Sequence, residues 1–296
     1  MPAGDSPTLA RRRVRLALRE YREAADLTQQ QVADEMEWSL SKVIRIENGD
    51  VSIAPNDLRP LLSYLNVKDR VRIGELLQDA RTARVRQRRA WHLAPEYRDT
   101  LTDGLRRLIE YEAEAVAIHS YSVFHFPGLL QLPEYSEALI HTWVDEIGDQ
   151  QSRYRLAARR HRREQILARL GTVRMTAVLD ESVFRRPIGG DQVLVRQLRD
   201  ILQLNERGLT EVRMVPFAID TPLSYNALFD ILFLDTDGDL SSAVMYRETG
   251  TSDEIVEDLN SVTRHYERYQ KLWDASMSVV ATNDFIRERV EALDQP

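Results

Sequence analysis

Ser39, Leu40, Ser41, Lys42 and Arg45 are the residues of this 296-residue chain whose types and spacing point most directly to chemistry. On a helix they fall on the side opposite Val43 and Ile46, so they form a short polar face that the apolar positions cannot take into a core. The surrounding stretch Gln29 to Asn48, QQQVADEMEWSLSKVIRIEN, reads as two short helices joined by a tight turn. Val32, Met36, Trp38, Val43 and Ile46 pack the pair across the bend. A helix held at an angle with a polar face forward is the part of a protein that enters the major groove of DNA.

Catalytic constellations are not expected elsewhere. Asp180 and Glu181 are adjacent carboxylates at a strand end, and neighbouring strand residues point in different directions. The six histidines, at 92, 119, 125, 141, 161 and 265, are scattered without an H-E-x-x-H arrangement or a second ligand set. There is no phosphate-binding glycine loop and no G-x-S-x-G, and Ser122, Ser182 and Ser224 have no motif around them. The chain has no cysteine, which removes disulfides and cysteine-based zinc sites. The expectation is a non-enzyme with no cofactor and no metal.

The elements that must position the polar face are short helices. Thr8 to Ala25 carries a broad apolar face (Leu9, Val14, Leu16, Ala17, Leu18, Tyr21). Thr28 is a good N-cap for a helix beginning at Gln29, and Ser39 for the next. Gly49 stands where a left-handed helix end favours glycine. Pro55 opens a fourth helix with Leu58, Leu61, Leu62 and Leu65 inward, and Lys68 to about Val85 forms a fifth. Trp38 is read as core. Residues 81–89, RTARVRQRR, hold five arginines. They are read as a solvated helix end leading into a linker, in preference to a supplementary phosphate contact.

The charge is divided unevenly. Residues 1–90 hold 17 Lys and Arg against 13 Asp and Glu, and the remainder 23 against 34, within a total of −7. An acidic body with a mildly basic head is compatible with DNA binding, because the local field at the contact face matters more than the total. The N-terminus lacks an apolar signal region and no stretch approaches a membrane-spanning run, so a cytoplasmic protein without a membrane partner is expected. At 43% apolar, the length suggests two domains.

The run LTQQQVADEMEWSLSKVIRIENGDVSIAPNDLRPLL resembles the lambda-repressor-like (XRE) helix-turn-helix domain, over roughly residues 9–80. Its motif includes Gln29 opening the second helix, Ala33 at the helix crossing, the Val43 and Ile46 pair, and the closing Ile46-Glu47-Asn48-Gly49. The resemblance implies that Gln29 contacts a phosphate, that Ser39, Leu40 and Ser41 face base edges with Lys42 and Arg45 on or beside that face, and that Asn48, Ser52 and Asn56 grip the backbone on the other side. An arginine there could bridge guanine O6 and N7, worth about 1–3 kcal/mol of discrimination. Arg22 and Glu47 are implied to be a structural pair. Where the family usually has glycine at the turn, this chain has Glu37, which must then take a left-handed conformation or belong to a differently built turn.

Beyond Thr100 the pattern mixes helices and strands. Helices are expected at Leu105–His119, from Pro133, at Gln151–Leu170, Gln192–Asn205, Asp253–Trp273 and Val279–Leu293. Strands are expected at Val173–Leu179, Glu211–Val215, Ala227–Leu234 and Ser242–Arg247, giving one parallel crossover and an antiparallel meander. The arginine-dense helix, with Arg159, Arg160 and Arg163, is read as forming internal ion pairs with carboxylates such as Glu134, Asp180 or Glu248. The stripe Ile255, Leu259, Val262, Tyr266, Tyr269, Trp273 is read as core, with a dimer seam as the alternative. PGLLQLPEY (127–135), LDESVFRR (179–186), VPF (215–217) and MYRE (245–248) resemble the regulatory domain of actinobacterial antitoxin-like regulators, which implies a small protein partner encoded alongside.

Together these give an all-α helix-turn-helix domain (1–88) and an α+β regulatory and dimerisation domain (89–296) with a small mixed sheet and flanking helices. The expected function is sequence-specific regulation of transcription by a homodimer on a pseudo-palindromic double-stranded operator, with half-sites about one helical turn apart. The C-terminal domain would sense a protein partner or a ligand. The alternative is an antitoxin-like protein that neutralises a small partner and uses DNA binding for autoregulation.

Overall fold

The computed structural model describes residues 6–85, 91–142, 144–219, 228–249 and 252–294. The chain divides into two compact units, Met1–Ala90 and Trp91–Pro296. No helix among the described residues is long and apolar enough to cross a membrane.

The first unit is all helix: α1 (Pro7–Ala24), α2 (Gln29–Glu35), α3 (Leu40–Asn48), α4 (Pro55–Tyr64) and α5 (Arg70–Thr82). Local chemistry sets each boundary. Thr28 and Gln31 form a reciprocal capping box at the start of α2: the Thr28 hydroxyl accepts from the Gln31 amide, and the Gln31 side chain accepts from the Thr28 amide. The Ser39 hydroxyl accepts from the Lys42 amide and opens α3. Between them Glu37 takes φ 54°, the left-handed region normally given to glycine, so the turn closes without one. Gly49 ends α3 at φ 83°, so the backbone favours glycine there, while a Cβ would lie 2.8 Å from the movable Arg15 side chain. Val14, Leu18, Val32, Ala33, Val43, Ile46, Leu58, Leu62 and Leu76 close into one core, with Trp38 packed at its margin.

The second unit is a six-stranded mixed sheet with helices on it. After a short helix α6 (Pro95–Arg98) come α7 (Asp103–Glu114), strand β1 (Ala117–Ser122), α8 (Pro133–His141), α9 (Val144–Ile147), α10 (Asp149–Leu167), β2 (Arg174–Asp180), α11 (Glu181–Arg185), α12 (Asp191–Glu206) and β3 (Glu211–Val215). β4 (Leu228–Phe233), β5 (Val244–Thr249), β6 (Ser252–Val256), α13 (Leu259–Ala275) and α14 (Val279–Asp294) complete it. The strand order is β3-β2-β1-β4-β5-β6, with β1, β2 and β3 parallel and β4, β5 and β6 joined antiparallel to β1 and to each other.

Alternation along the strands separates two faces. Tyr121, Phe229, Ile231, Phe233 and Met245 pack against Val262, Tyr269 and Leu272 of α13 in an apolar layer. On the opposite face Ser120, Asp230 and Tyr246 stand in one row across β1, β4 and β5. Gly104 lets α7 approach β6, since a Cβ there would lie 2.3 Å from the Asp253 carbonyl oxygen.

Two expected helices are shorter than the sequence suggests, and each yields a strand. The helix expected to reach His119 ends at Glu114, with Ala115 extended and β1 following. Val116 and Ala117 fit a helical spacing, but pairing to β2 and β4 on both sides decides for strand. The helix expected from Asp253 begins at Leu259, because residues 252–256 pair with β5 as the edge strand β6. Ile255 therefore leaves the proposed stripe. Val262, Tyr269 and Leu272 are core, Tyr266 and Trp273 pack against it, and Leu259 is exposed. Ala227, Ser224 and the arginines at 86, 88 and 89 lie outside the described residues.

Candidate nucleic-acid interface

The α3 polar face is assembled as its sequence order requires. Ser39, Leu40, Ser41 and Arg45 are exposed and Lys42 half-buried, while Val43, Ile46 and Glu47 on the other side are buried. Leu40 is 37% exposed at the first helical position, an apolar side chain set among hydroxyls. The Arg45 guanidinium has no hydrogen-bond or ion-pair partner among the described residues. Its neighbour is less available: Lys42 Nζ lies 3.7 Å from the centre of the Trp38 ring and 3.2 Å from Asp57 Oδ2.

A cleft of about 380 Å³ runs along this face, lined by Ser39, Ser41, Lys42, Arg45, Ser52 and Arg84 among others. It brings together five of the residues expected to touch DNA. Arg84 comes from the far end of the domain, beyond α5, and belongs to the arginine segment read as a solvated linker. Nothing in its local pattern distinguishes it from its neighbours, and only the fold brings it beside α3. The Ser52 hydroxyl donates to the Ala83 carbonyl at 3.2 Å, which ties the two walls of the cleft. Asn48 is half-buried and Asn56 exposed, the latter in the first turn of α4.

Behind this face sits a charged knot. Arg22 Nε donates to Glu47 Oε1 at 2.6 Å and Nη2 to Oε2 at 3.0 Å, while Nη1 donates to the Leu27 carbonyl at 2.9 Å. The hydrogen bond to Glu47 raises the Arg22 pKa further. Gln29 Nε2 also donates to Glu47 Oε2, at 2.8 Å. An amide nitrogen carries two hydrogens, so the contact orients the Gln29 side chain and leaves one donor.

The remaining candidate groups are engaged structurally. Asp180 caps α11 by accepting from the Ser182 amide at 2.9 Å. Glu181 pairs with Arg185 at 2.5 Å and accepts the Phe217 amide at 2.8 Å. These two carboxylates do not converge on a common point. In the arginine helix, Arg163 pairs with Asp200, Arg160 with Glu164, and Arg162 with Glu112, whereas Glu134 pairs with Arg196. Among the described residues no group of three His, Asp or Glu side chains could hold a metal ion.

Residues 14–76 match the family model described as a helix-turn-helix domain. Residues 105–288 match the model described as a domain of unknown function (DUF5753). No curated protein matches the chain, and no solved structure does. The first unit holds a helix-turn-helix domain, of the kind that binds DNA.

Proposed function

The chain belongs to the family of the domain of unknown function DUF5753, joined here to a helix-turn-helix head, and we propose that it is a sequence-specific DNA-binding regulator of transcription. The observation that carries this reading is the exposed α3 face with an unpartnered Arg45 lining the cleft. Leu40, Ser41 and Arg45 read base edges. Gln29, Asn48, Ser52, Asn56, Lys42 and Arg84 hold the backbone, with Gln29 aimed by the Arg22–Glu47 pair. The protein acts in the cytoplasm as a homodimer on a pseudo-palindromic operator, its two recognition helices about one helical turn apart.

The acidic body receives the signal, and its charge suits a small basic protein encoded nearby. An antitoxin-like role toward that partner, with autoregulation through the head, is the second reading. Copurification of a small polypeptide with the intact protein from its own host supports that partner.

DNA binding is tested on the region upstream of the protein's own gene at moderate salt. Arg45→Ala is expected to weaken specific binding by about 1–3 kcal/mol, roughly 5- to 150-fold, and to relax the preference at one base pair. Arg84→Ala is expected to weaken binding to all sequences alike and to reduce the salt slope by about 1. Unchanged binding in Arg45→Ala overturns the assignment of α3.

A further inference from the structure

On the polar face of the sheet, α10 lays Arg155, Arg159 and Arg162, spaced i, i+4, i+7, over Asp230 of β4 and Glu248 of β5. The register places Asp230 beside Tyr246, and Glu248 beside Asp253 of β6. Between helix and sheet is a cavity of about 40 Å³, room for about three waters or one small head group.

The three arginines differ in how far their charge is used. Arg162 makes a bidentate pair with Glu112 at 2.8 and 2.7 Å. Arg159 has one recorded partner, the neutral Gln131 side chain at 2.8 Å. Arg155 has no hydrogen-bond or ion-pair partner among the described residues, and its Nε is buried without one. Two of the carboxylates facing them already accept hydrogen bonds from neutral hydroxyls. Asp253 accepts from Thr102 and from the Tyr246 hydroxyl. Asp230 accepts from Ser120 at 2.5 Å, and burial pushes its pKa up to about 6. Burial also raises the Glu248 pKa, against the pull of the arginines.

Gly128 borders the same space. Its φ is not in the left-handed region, so its backbone does not require glycine, yet a Cβ there would stand 3.7 Å from Arg159 Nε and 3.8 Å from Arg162 Nη1. A side chain at 128 would fill the room over the guanidiniums. Partly desolvated cations with incomplete pairing are costly to keep, and an oxyanion supplies what the pair lacks, since guanidinium groups match planar and tetrahedral oxygens geometrically.

We infer that this cavity binds the oxyanion head group, carboxylate or phosphate, of a small ligand through Arg155 and Arg159. The inference stands on the second unit alone and does not depend on the head binding DNA.

The test is thermal unfolding of the full chain in sodium phosphate or sodium acetate against chloride at matched ionic strength. A saturable rise in Tm of about 2–4 °C is expected for at least one anion. A response to phosphate alone assigns a phosphate head group, and to acetate alone a carboxylate. Arg155→Gln, which breaks no hydrogen bond recorded in the structure, is expected to reduce the rise at least threefold. Gly128→Val, which occupies the cavity and keeps all three arginines, is expected to do the same. Arg45→Ala is expected to keep the full rise. The inference is overturned by the absence of a saturable response in the unmodified protein, by an undiminished response in the two cavity variants, or by loss of the response in Arg45→Ala.

Discussion

Glu47 accepts from two elements at once, Arg22 on α1 and Gln29 on α2, while only 3% exposed itself. Removing one partner of a buried pair leaves the other charge without compensation, which costs more than the pair contributes in water. Glu47→Gln is therefore expected to lower the stability of the head by about 3 kcal/mol, read as a lower urea midpoint at unchanged slope, and to loosen Gln29 along with it. Lys42 presents the opposite case. It is 39% exposed, Asp57 42% exposed, and a pair so open to water is a weak restraint. Asp57→Asn should release the ammonium toward phosphate. The expected result is tighter DNA binding at low salt and a salt slope steeper by about 1, measured by titrating binding against chloride.

At the scale of elements, the ends of helices and the edge of the sheet are closed by side chains from other elements. Arg169 donates to the Glu112 and Ala115 carbonyls, both at 2.7 Å, covering the C-terminal end of α7. The outer edge of β3 would otherwise offer free backbone groups for pairing with another chain. Here the Asn205 side chain accepts from the Val212 amide and donates to its carbonyl, and the Thr282 hydroxyl accepts from the Met214 amide. Asn205 also donates to Asn283 of α14. Asn205→Ala leaves several buried polar groups without partners, and a loss of about 2–4 kcal/mol is expected, from the unsatisfied donor and acceptor together. Calorimetry checks it, with faster amide exchange at Val212 as the local sign.

For the whole molecule, buried histidines weaken the fold on the acidic side. Burial holds His92, His119 and His125 at about 4 each, against an ordinary value of 6.5. The unfolded chain takes up these protons first, so the stability that the neutral rings contribute is present above pH 6.5 and is lost as pH falls toward 4. Asp230 acts in the opposite sense: its folded value of about 6 means that it gains stability as pH falls through 6. Burial also lowers His265, which adds to the histidines, and raises Glu248, which adds to Asp230; the histidines outnumber the two carboxylates, which predicts a net fall in Tm between pH 7 and 4.5. His119 sits between Thr176, at 2.6 Å, and the Tyr266 and Tyr269 rings. His119→Asn keeps a donor near Nδ1, and is expected to remove about 1–2 kcal/mol of the acid-dependent loss at pH 5 while lowering stability at pH 7.

The head was legible from its sequence because a helix is specified locally. Thr28 with Gln31, Ser39, Gly49 and the spacing of Val32, Val43 and Ile46 all act within about twenty residues, and hydrogen bonds run from i to i−4. The all-α and α+β division and four of the six strands follow from such signals. β1 and β6 do not, because a strand is completed only by its neighbour: residues 117–119 read as a helix end until β2 and β4 lie on either side of them. The same holds for charge. Arg162 finds Glu112 across 50 residues, Arg84 reaches the cleft of α3 from beyond α5, and Arg155 and Arg159 share a cavity with carboxylates from the far half of the sheet. The sequence by itself determined which residues are cationic, which helices form and which face of α3 stays polar. Tertiary structure alone decided which cations are neutralised, since pairing depends on distances that local sequence does not set.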